Sequence, residues 1–298
     1  MIKIIKYLSY GAKFVLDKRV LKKDRAFIAG LVLGESCNLN CEHCNVCHES
    51  QENDLSFKMV EKGLNELYKE GIKLLAITGG EPFYWQDQDK NLEDVIALAR
   101  KIGFLIISVY TNGTFPLLSG ADDLFVSIDG LKENSHKLRG PVYDQVISNI
   151  KTSNHKNIMI NFTINTENKN EIEDFCEYIA TIENIKGIFF YFHTPYYGKD
   201  DLFIPFEARQ KIILKLLKLK NRYKILNSKA TLLDVYYNRW ERPSSICKVY
   251  SKDKIFNCCR SVENKEACKD CGYLGYPEVI NITKLKSSAL LTALNYMP

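Results

Sequence analysis

Several absences bound the class of this 298-residue sequence before any motif is read. No run reaches the roughly 18 uninterrupted apolar residues that a membrane-spanning helix needs. The opening MIKIIKYLSYGAKFVLDKRVLKK is broken by lysines and followed by no small-residue cleavage site. It does not read as a signal peptide, and the expected compartment is the cytoplasm. No internal repeat or low-complexity tract is visible. The net charge of +5 is mild, spread along the chain and accompanied by no RNA- or DNA-binding motif, which sets nucleic acid aside as a partner. Without an export signal, disulfides explain cysteines less well than metal ligation does.

Cysteine is what the sequence has in excess: ten, of which four lie between 37 and 47 and five between 247 and 271. Cys176 stands alone in EIEDFCEYIA, at helical spacing with Phe175 and Ile179, and reads as a buried, inert thiol.

Short apolar runs alternate with amphipathic stretches up to about residue 220. The runs Phe27–Leu33, Leu74–Thr78, Leu105–Tyr110, Leu124–Ile128, Ile158–Ile164 and Gly187–Phe192 have the continuous character of strands buried on both faces of a parallel sheet. Helical patterns fill Phe57–Lys69, Leu92–Lys101, Val142–Asn149, Glu171–Thr181 and Phe206–Leu219, and Asp54 or Ser56 is positioned to cap the first. TFPLLSGADD, after the third run, is too broken for a helix. Serial β–α units with right-handed crossovers predict an α/β fold, a partial (β/α)6 TIM-type barrel with a small cysteine-rich C-terminal domain. The expected division is a basic amphipathic N-terminal helix (1–24), the barrel core (25–220) and the cysteine-rich tail (221–298). In such barrels ligands bind at the carboxyl ends of the strands.

Directly after the first strand comes Glu35-Ser36-Cys37-Asn38-Leu39-Asn40-Cys41-Glu42-His43-Cys44. Three thiolates at CxxxCxxC spacing suit an iron–sulfur cluster and leave one iron of a four-iron cubane open to a small chelating ligand. The alternative is a structural zinc site completed by Cys47. The second strand runs into Gly79-Gly80-Glu81-Pro82, where paired glycines let backbone approach a ligand and Glu81 can accept from an ammonium group. The third ends in Thr111-Asn112-Gly113-Thr114. The fourth ends in Ser127-Ile128-Asp129-Gly130, a hydroxyl and a carboxylate placed to hold a ribose. Each is weak alone, since such sequences are most often turns. Together they are four polar motifs in order, each at a strand end.

In these residues the chain resembles the radical S-adenosylmethionine (SAM) superfamily, over about residues 27 to 200. The resemblance implies a [4Fe–4S] cluster on Cys37, Cys41 and Cys44 whose open iron is chelated by SAM. It further implies Gly79, Gly80 and Glu81 at the methionine end, Thr111 and Asn112 beside the cofactor, and Ser127 and Asp129 at the ribose. Arg139 matches an arginine that contacts SAM's carboxylate in related enzymes, or is a solvated surface charge. His43 fills a usually aromatic position and shields the cluster. The chemistry so implied is reductive cleavage of SAM to a 5′-deoxyadenosyl radical, with an electron donor such as flavodoxin or ferredoxin.

The tail carries Cys247, the adjacent Cys258 and Cys259, then Cys268 and Cys271. It is similar to the auxiliary-cluster tail of several radical SAM subfamilies, which implies a second [4Fe–4S] cluster. Neighbouring residues rarely both reach one cubane, so Cys258 and Cys259 split roles; a zinc ribbon from the same thiols is the rival reading. The basic N-terminal segment, GPVYDQVISNI and the closing CKDCGY also resemble the adenosyl-hopene transferase group, from which the tail's cysteine arrangement departs. Ile2, Ile5, Leu8, Ala12, Val15 and Leu16 alternate with lysines, so the N-terminal helix either lies on anionic lipid or packs outside the barrel. The leading expectation is a radical SAM enzyme acting on a peptide or small protein. The alternatives are a radical SAM enzyme acting on a lipid or small apolar metabolite, and a zinc-binding protein without catalysis. Substrate contacts are expected at the later strand ends: Asn161, Asn165, His193, Tyr196 and Tyr197.

Overall fold

The computed structural model describes residues 2–44, 53–259 and 261–295. Cys47 lies outside these residues. After α1 (Ile2–Val15) and a π-helical turn over Leu16–Val20, the expected alternation appears. Strands β1 (Ile28–Val32), β2 (Leu74–Thr78), β3 (Ile106–Thr111), β4 (Asp123–Ser127), β5 (Ile158–Ile164) and β6 (Ile185–Phe192) pair in parallel. Between them lie α2 (Phe57–Lys69), α3 (Leu92–Ile102), α4 (Lys132–Arg139), α5 (Tyr143–Thr152) and α6 (Ile172–Ala180), with α7 (Phe206–Leu219) after β6. No helix joins β3 to β4. This is the α/β parallel sheet of a partial TIM-type barrel.

Local chemistry accounts for the helix ends. Ser56 caps α2, its hydroxyl accepting from the Met59 amide at 3.3 Å. Asp54 serves elsewhere, accepting from the amides of Glu35 and Ser36 at 2.7 and 3.1 Å in the loop that leads to Cys37. Asn91 and Asp94 form a capping box on α3, which ends at Gly103 with a left-handed φ of 115°.

The stretch after residue 220 holds α8 (Lys229–Tyr236), β7 (Cys247–Ser251), β8 (Lys254–Asn257), α9 (Lys265–Lys269), α10 (Gly275–Thr283) and α11 (Ser287–Asn295). Its strands extend the barrel sheet, whose order is β6-β5-β4-β3-β2-β1-β7-β8. β7 runs parallel to β1 with Cys247 opposite Ile28, and β8 returns antiparallel. The first strand of the chain is therefore an interior strand. Gly63 of α2 lies so close to the fully buried ring of Tyr250 that a Cβ there would overlap it.

α1 lies across the amino ends of the strands. The Tyr10 hydroxyl donates to the Phe27 carbonyl at 2.7 Å, and Phe14 meets the Phe27 ring at 4.7 Å between centroids. Inside the barrel, three adjacent strands place small residues in register: Gly30 pairs with Ala76, and Ala76 with Ser108. Barrel interiors are normally filled by bulky branched side chains at such levels. Here the interior stays hollow.

Candidate functional site

The loop after β1 is fastened to the ends of its neighbours. Gly80 N donates to the Gly34 carbonyl and Glu81 N to the Ser36 carbonyl, both at 2.9 Å. A Cβ on Gly80 would collide with the Ser36 carbonyl, so the second glycine lets the cysteine loop lie directly on the end of β2. Asn38, in the same loop, donates to the Thr114 hydroxyl and accepts from the Asn112 amide group, each at 2.8 Å. Asn112 Nδ2 also stands 3.7 Å from Cys37 Sγ.

Glu81 is turned inward. Its carboxylate accepts from the Thr111 hydroxyl at 2.8 Å, the Asn112 amide at 2.6 Å and the Phe83 amide at 3.0 Å. Burial pushes this carboxyl up to about 7, against the pull of its three donors. Instead of standing open to an ammonium group, Glu81 is a bracket between β2 and β3, because the backbone donors at the end of β3 lie within its reach.

Asp129 is likewise engaged. One oxygen accepts from the Thr163 amide at 2.5 Å; the other meets Arg139 Nε at 2.6 Å, Arg139 Nη2 at 2.5 Å and His43 Nε2 at 3.1 Å. Burial works to raise this carboxyl, and Arg139 and His43 overcome it, holding it at about 2. Its oxygens face protein donors where a ribose contact was expected. Arg139, at the end of α4, is buried, and its Nη1 lies 3.9 Å from Cys41 Sγ. It is not a solvated surface charge.

Cys37, Cys41 and Cys44 line a cavity of about 260 Å³ together with His43, Gly79, Gly80, Thr111, Asn112, Ser127 and Arg139. Asn161 Oδ1 and His43 Nδ1, from residues on this wall, are buried without a hydrogen-bond partner. Such atoms need a ligand or water to satisfy them. Burial pushes the Cys41 thiol up to about 11, with Arg139 pulling down, and a bound metal would deprotonate it outright. The donor set, the neighbouring guanidinium and the unsatisfied acceptor fit an iron–sulfur cluster and a polar chelating cofactor. Among the described residues, no group of three or more His, Cys, Asp or Glu side chains is close enough to share a single metal ion.

The remaining substrate candidates divide. His193, at the end of β6, lines the cavity, with Nε2 2.8 Å from Asp200 Oδ2. Burial lowers its pKa, against the carboxylate's pull. Tyr196 lines the cavity too. Asn165 is fully buried and builds the turn after β5, its Oδ1 accepting from the amides of Glu167 and Asn168 at 3.0 and 3.3 Å. Tyr197 is exposed and Cys176 buried. Sequence reasoning missed Thr163, Tyr191 and Tyr273 on the cavity wall. The inward period of β5 and β6 could have found the first two.

A second cavity, of about 420 Å³, occupies the barrel interior. Cys247, Cys259, Cys268 and Cys271 line it; Cys258 does not. Cys258 has a left-handed φ of 76°, and its amide donates to the Cys247 carbonyl at 2.8 Å while its own carbonyl accepts from Tyr276 at 2.6 Å. Burial pushes Cys247 up to about 12 and Cys271 up to about 11. Tyr110, Tyr191 and Tyr273 line both cavities and form the wall they share.

Comparison with known proteins bears on this arrangement. The family model of the radical SAM superfamily matches residues 31–179. A 7,8-dihydro-6-hydroxymethylpterin dimethyltransferase of Methanocaldococcus jannaschii is 28% identical over 188 residues, 56% of this chain and 36% of that protein. Streptococcus suis SuiB bound to its precursor peptide SuiA superposes with a TM-score of 0.64 at 16% identity, covering 84% of this chain and 63% of SuiB. The anSMEcpe structure with bound AdoMet and Cp18Cys peptide gives 0.56 at 17% identity, covering 78% of this chain and 74% of that one. The chain thus spans about a third of the curated relative and under two thirds of SuiB.

Proposed function

Because the chain belongs to the radical SAM superfamily, we propose that it cleaves SAM reductively in the cavity above β1–β6 and turns the resulting radical on an apolar substrate. The observation that carries this reading is the convergence of Cys37, Cys41 and Cys44 on one wall with strand-end polar groups of β2 to β5. When bound, a [4Fe–4S] cluster and SAM supply one-electron cleavage of the sulfonium to methionine and a 5′-deoxyadenosyl radical. The chain's own residues hold and shield. The three thiolates are the cluster ligands, with Asn112 and Arg139 offering donors to the sulfurs of Cys37 and Cys41. Gly79, Gly80, Thr111, Ser127 and Asn161 line the space beside them, where SAM would bind. Glu81 and Asp129 act behind that wall, fixing the ends of β2 to β5. His193 and Tyr196 face the substrate side, and an electron donor such as flavodoxin or ferredoxin supplies the reducing electron.

The four interior-facing tail thiols, Cys247, Cys259, Cys268 and Cys271, would hold a second cluster, leaving Cys258 structural. The tail from residue 221 is then an auxiliary-cluster module built onto the barrel's own sheet. A peptide substrate draws support from SuiB and anSMEcpe, whose likeness extends to the fold. The apolar interior cavity, a feature of this chain itself, favours a lipid or small apolar metabolite.

Anaerobically reconstituted, reduced protein incubated with SAM should form 5′-deoxyadenosine, and Cys41→Ala should abolish it while Cys176→Ala should not. Retained product in Cys41→Ala would overturn the ligand assignment. Zinc without iron in the purified protein would support the non-catalytic reading instead.

A further inference from the structure

We propose that Arg209, seconded by Arg242, is the built-in counter-charge of the tail thiols: a buried cation that raises the reduction potential of the second cluster and ties its Cys271 side to the end of β6. This rests on the second-cluster reading above and adds to it positioning residues from outside the cysteine set.

Arg209 stands in the first turn of α7, where a long cationic side chain would ordinarily reach solvent. Instead it is 6% exposed. Its fork of N–H donors goes to three backbone carbonyls: Nε donates to Ile204 at 2.8 Å, Nη1 to Cys271 at 3.3 Å and Nη2 to His193 at 3.0 Å. The guanidinium carbon also lies 5.2 Å from the ring centres of both Phe192 and Phe203. Hydrogen bonding is thereby satisfied, but the charge is not. Among the described residues no carboxylate forms an ion pair with it, and its acidic neighbour Asp270 already lies 3.5 Å from Lys199 Nζ. Arg242 is half-buried, 4.7 Å over the Trp240 ring, and feels the charge of Cys268 and Cys271 as well as that of Asp270.

A buried guanidinium bonded only to neutral carbonyls is costly unless an anion answers it. A cubane on four thiolates is a net anion in both of its redox states, and Cys247, Cys259, Cys268 and Cys271 line one hollow beside the two arginines. A positive charge there stabilises the reduced, more negative form and so raises the potential. The same arginine fixes where that anion sits. Cys271-Gly272 lies directly on the end of β6: Phe192 N donates to the Gly272 carbonyl at 2.9 Å, and Gly272 N donates to the Thr194 hydroxyl at 2.8 Å. A Cβ on Gly272 would overlap the Phe192 carbonyl, so only glycine permits this approach. The fork of Arg209 closes the contact from α7, one arm on Cys271 and the other on His193, which lines the cavity of the first three cysteines. A lysine would keep the charge and lose the fork.

The test is a reductive titration of the full-length, anaerobically reconstituted protein followed by electron paramagnetic resonance, with iron counted on the same samples. Wild type should hold about eight irons. Arg209→Gln should keep them and weaken the second cluster's hold on its electron about tenfold, a fall of about 59 mV for a one-electron couple. The first cluster, whose signal added SAM should alter, should keep its potential. Arg209→Lys should recover most of the shift. Where Arg209→Gln fails to fold, Arg242→Gln should move the second cluster in the same direction. An unchanged potential in the neutral variants overturns the proposal, as does a lysine variant that falls as far as the glutamine one. Wild type with only about four irons would sink the second-cluster reading and this proposal together. The full iron complement with no shift would sink this proposal alone.

Discussion

Glu81 is buried at the end of β2 and held by three protein donors. Its carboxyl, buried and raised from 4.5 to about 7, is protonated in the fold over a range where the unfolded chain has ionised it. The native state then binds more protons than the unfolded state, so stability falls as pH rises from about 4.5 to about 7. Measured against Glu81→Gln by thermal unfolding, the wild type should lose its advantage across that window, by up to about 3 kcal/mol. Asp129 has the opposite sign. Held near 2 instead of 3.8, it contributes stability that is present above about pH 4 and lost as pH falls towards about 2. Asp129→Asn strands the buried Arg139 charge and should cost about 3–5 kcal/mol at neutral pH, read as a lowered urea midpoint. Residue types at the strand ends were legible in the sequence; the directions of their side chains were not. GGE and SID announce a carboxylate near a ligand, yet donors from adjacent strands, Asn112 N and Thr163 N, capture both. For the adjacent cysteines, the proposed second cluster predicts that Cys259→Ser removes its absorbance and iron, whereas Cys258→Ser retains them.

At the scale of elements, the six strands and five helices read from periodicity all stand in the structure, because buried parallel strands write continuous apolar runs. α4 went unread: KENSHKLR has no apolar stripe, and only Ser135 and Leu138 are buried. β7 and β8 went unread because CKVYS and KIFN mix charge with apolar residues, and the partner that joins β7 to the sheet, β1, lies more than 200 positions away in the chain. Only the register reveals that Cys247 opens a sheet strand. The contact of Gly63 with Tyr250 tests how firmly that strand is keyed to α2. Gly63→Ala should destabilise by about 1–3 kcal/mol through overpacking, and Tyr250→Leu in the same chain should recover part of the loss in thermal melts.

For the molecule as a whole, Cys247 opens β7, which extends the barrel sheet beside β1, and the loop after β1 carries Cys37, Cys41 and Cys44. Reconstituted protein should bind about eight irons per chain, and Cys268→Ala with Cys271→Ala about four. A chain cut after residue 220 should be insoluble, since it bares the edge of β1 and the flank of β6, where Phe190 is clasped on both its amide and carbonyl by Asn227. The position of β1 between β2 and β7 also carries a consequence for biosynthesis. A ribosome adding about 5–20 residues per second delivers β7 tens of seconds after β1 has emerged. Throughout that interval the nascent chain offers a bare hydrogen-bonding edge right beside its first three thiols, making this interval the period of greatest exposure to aggregation and to oxygen.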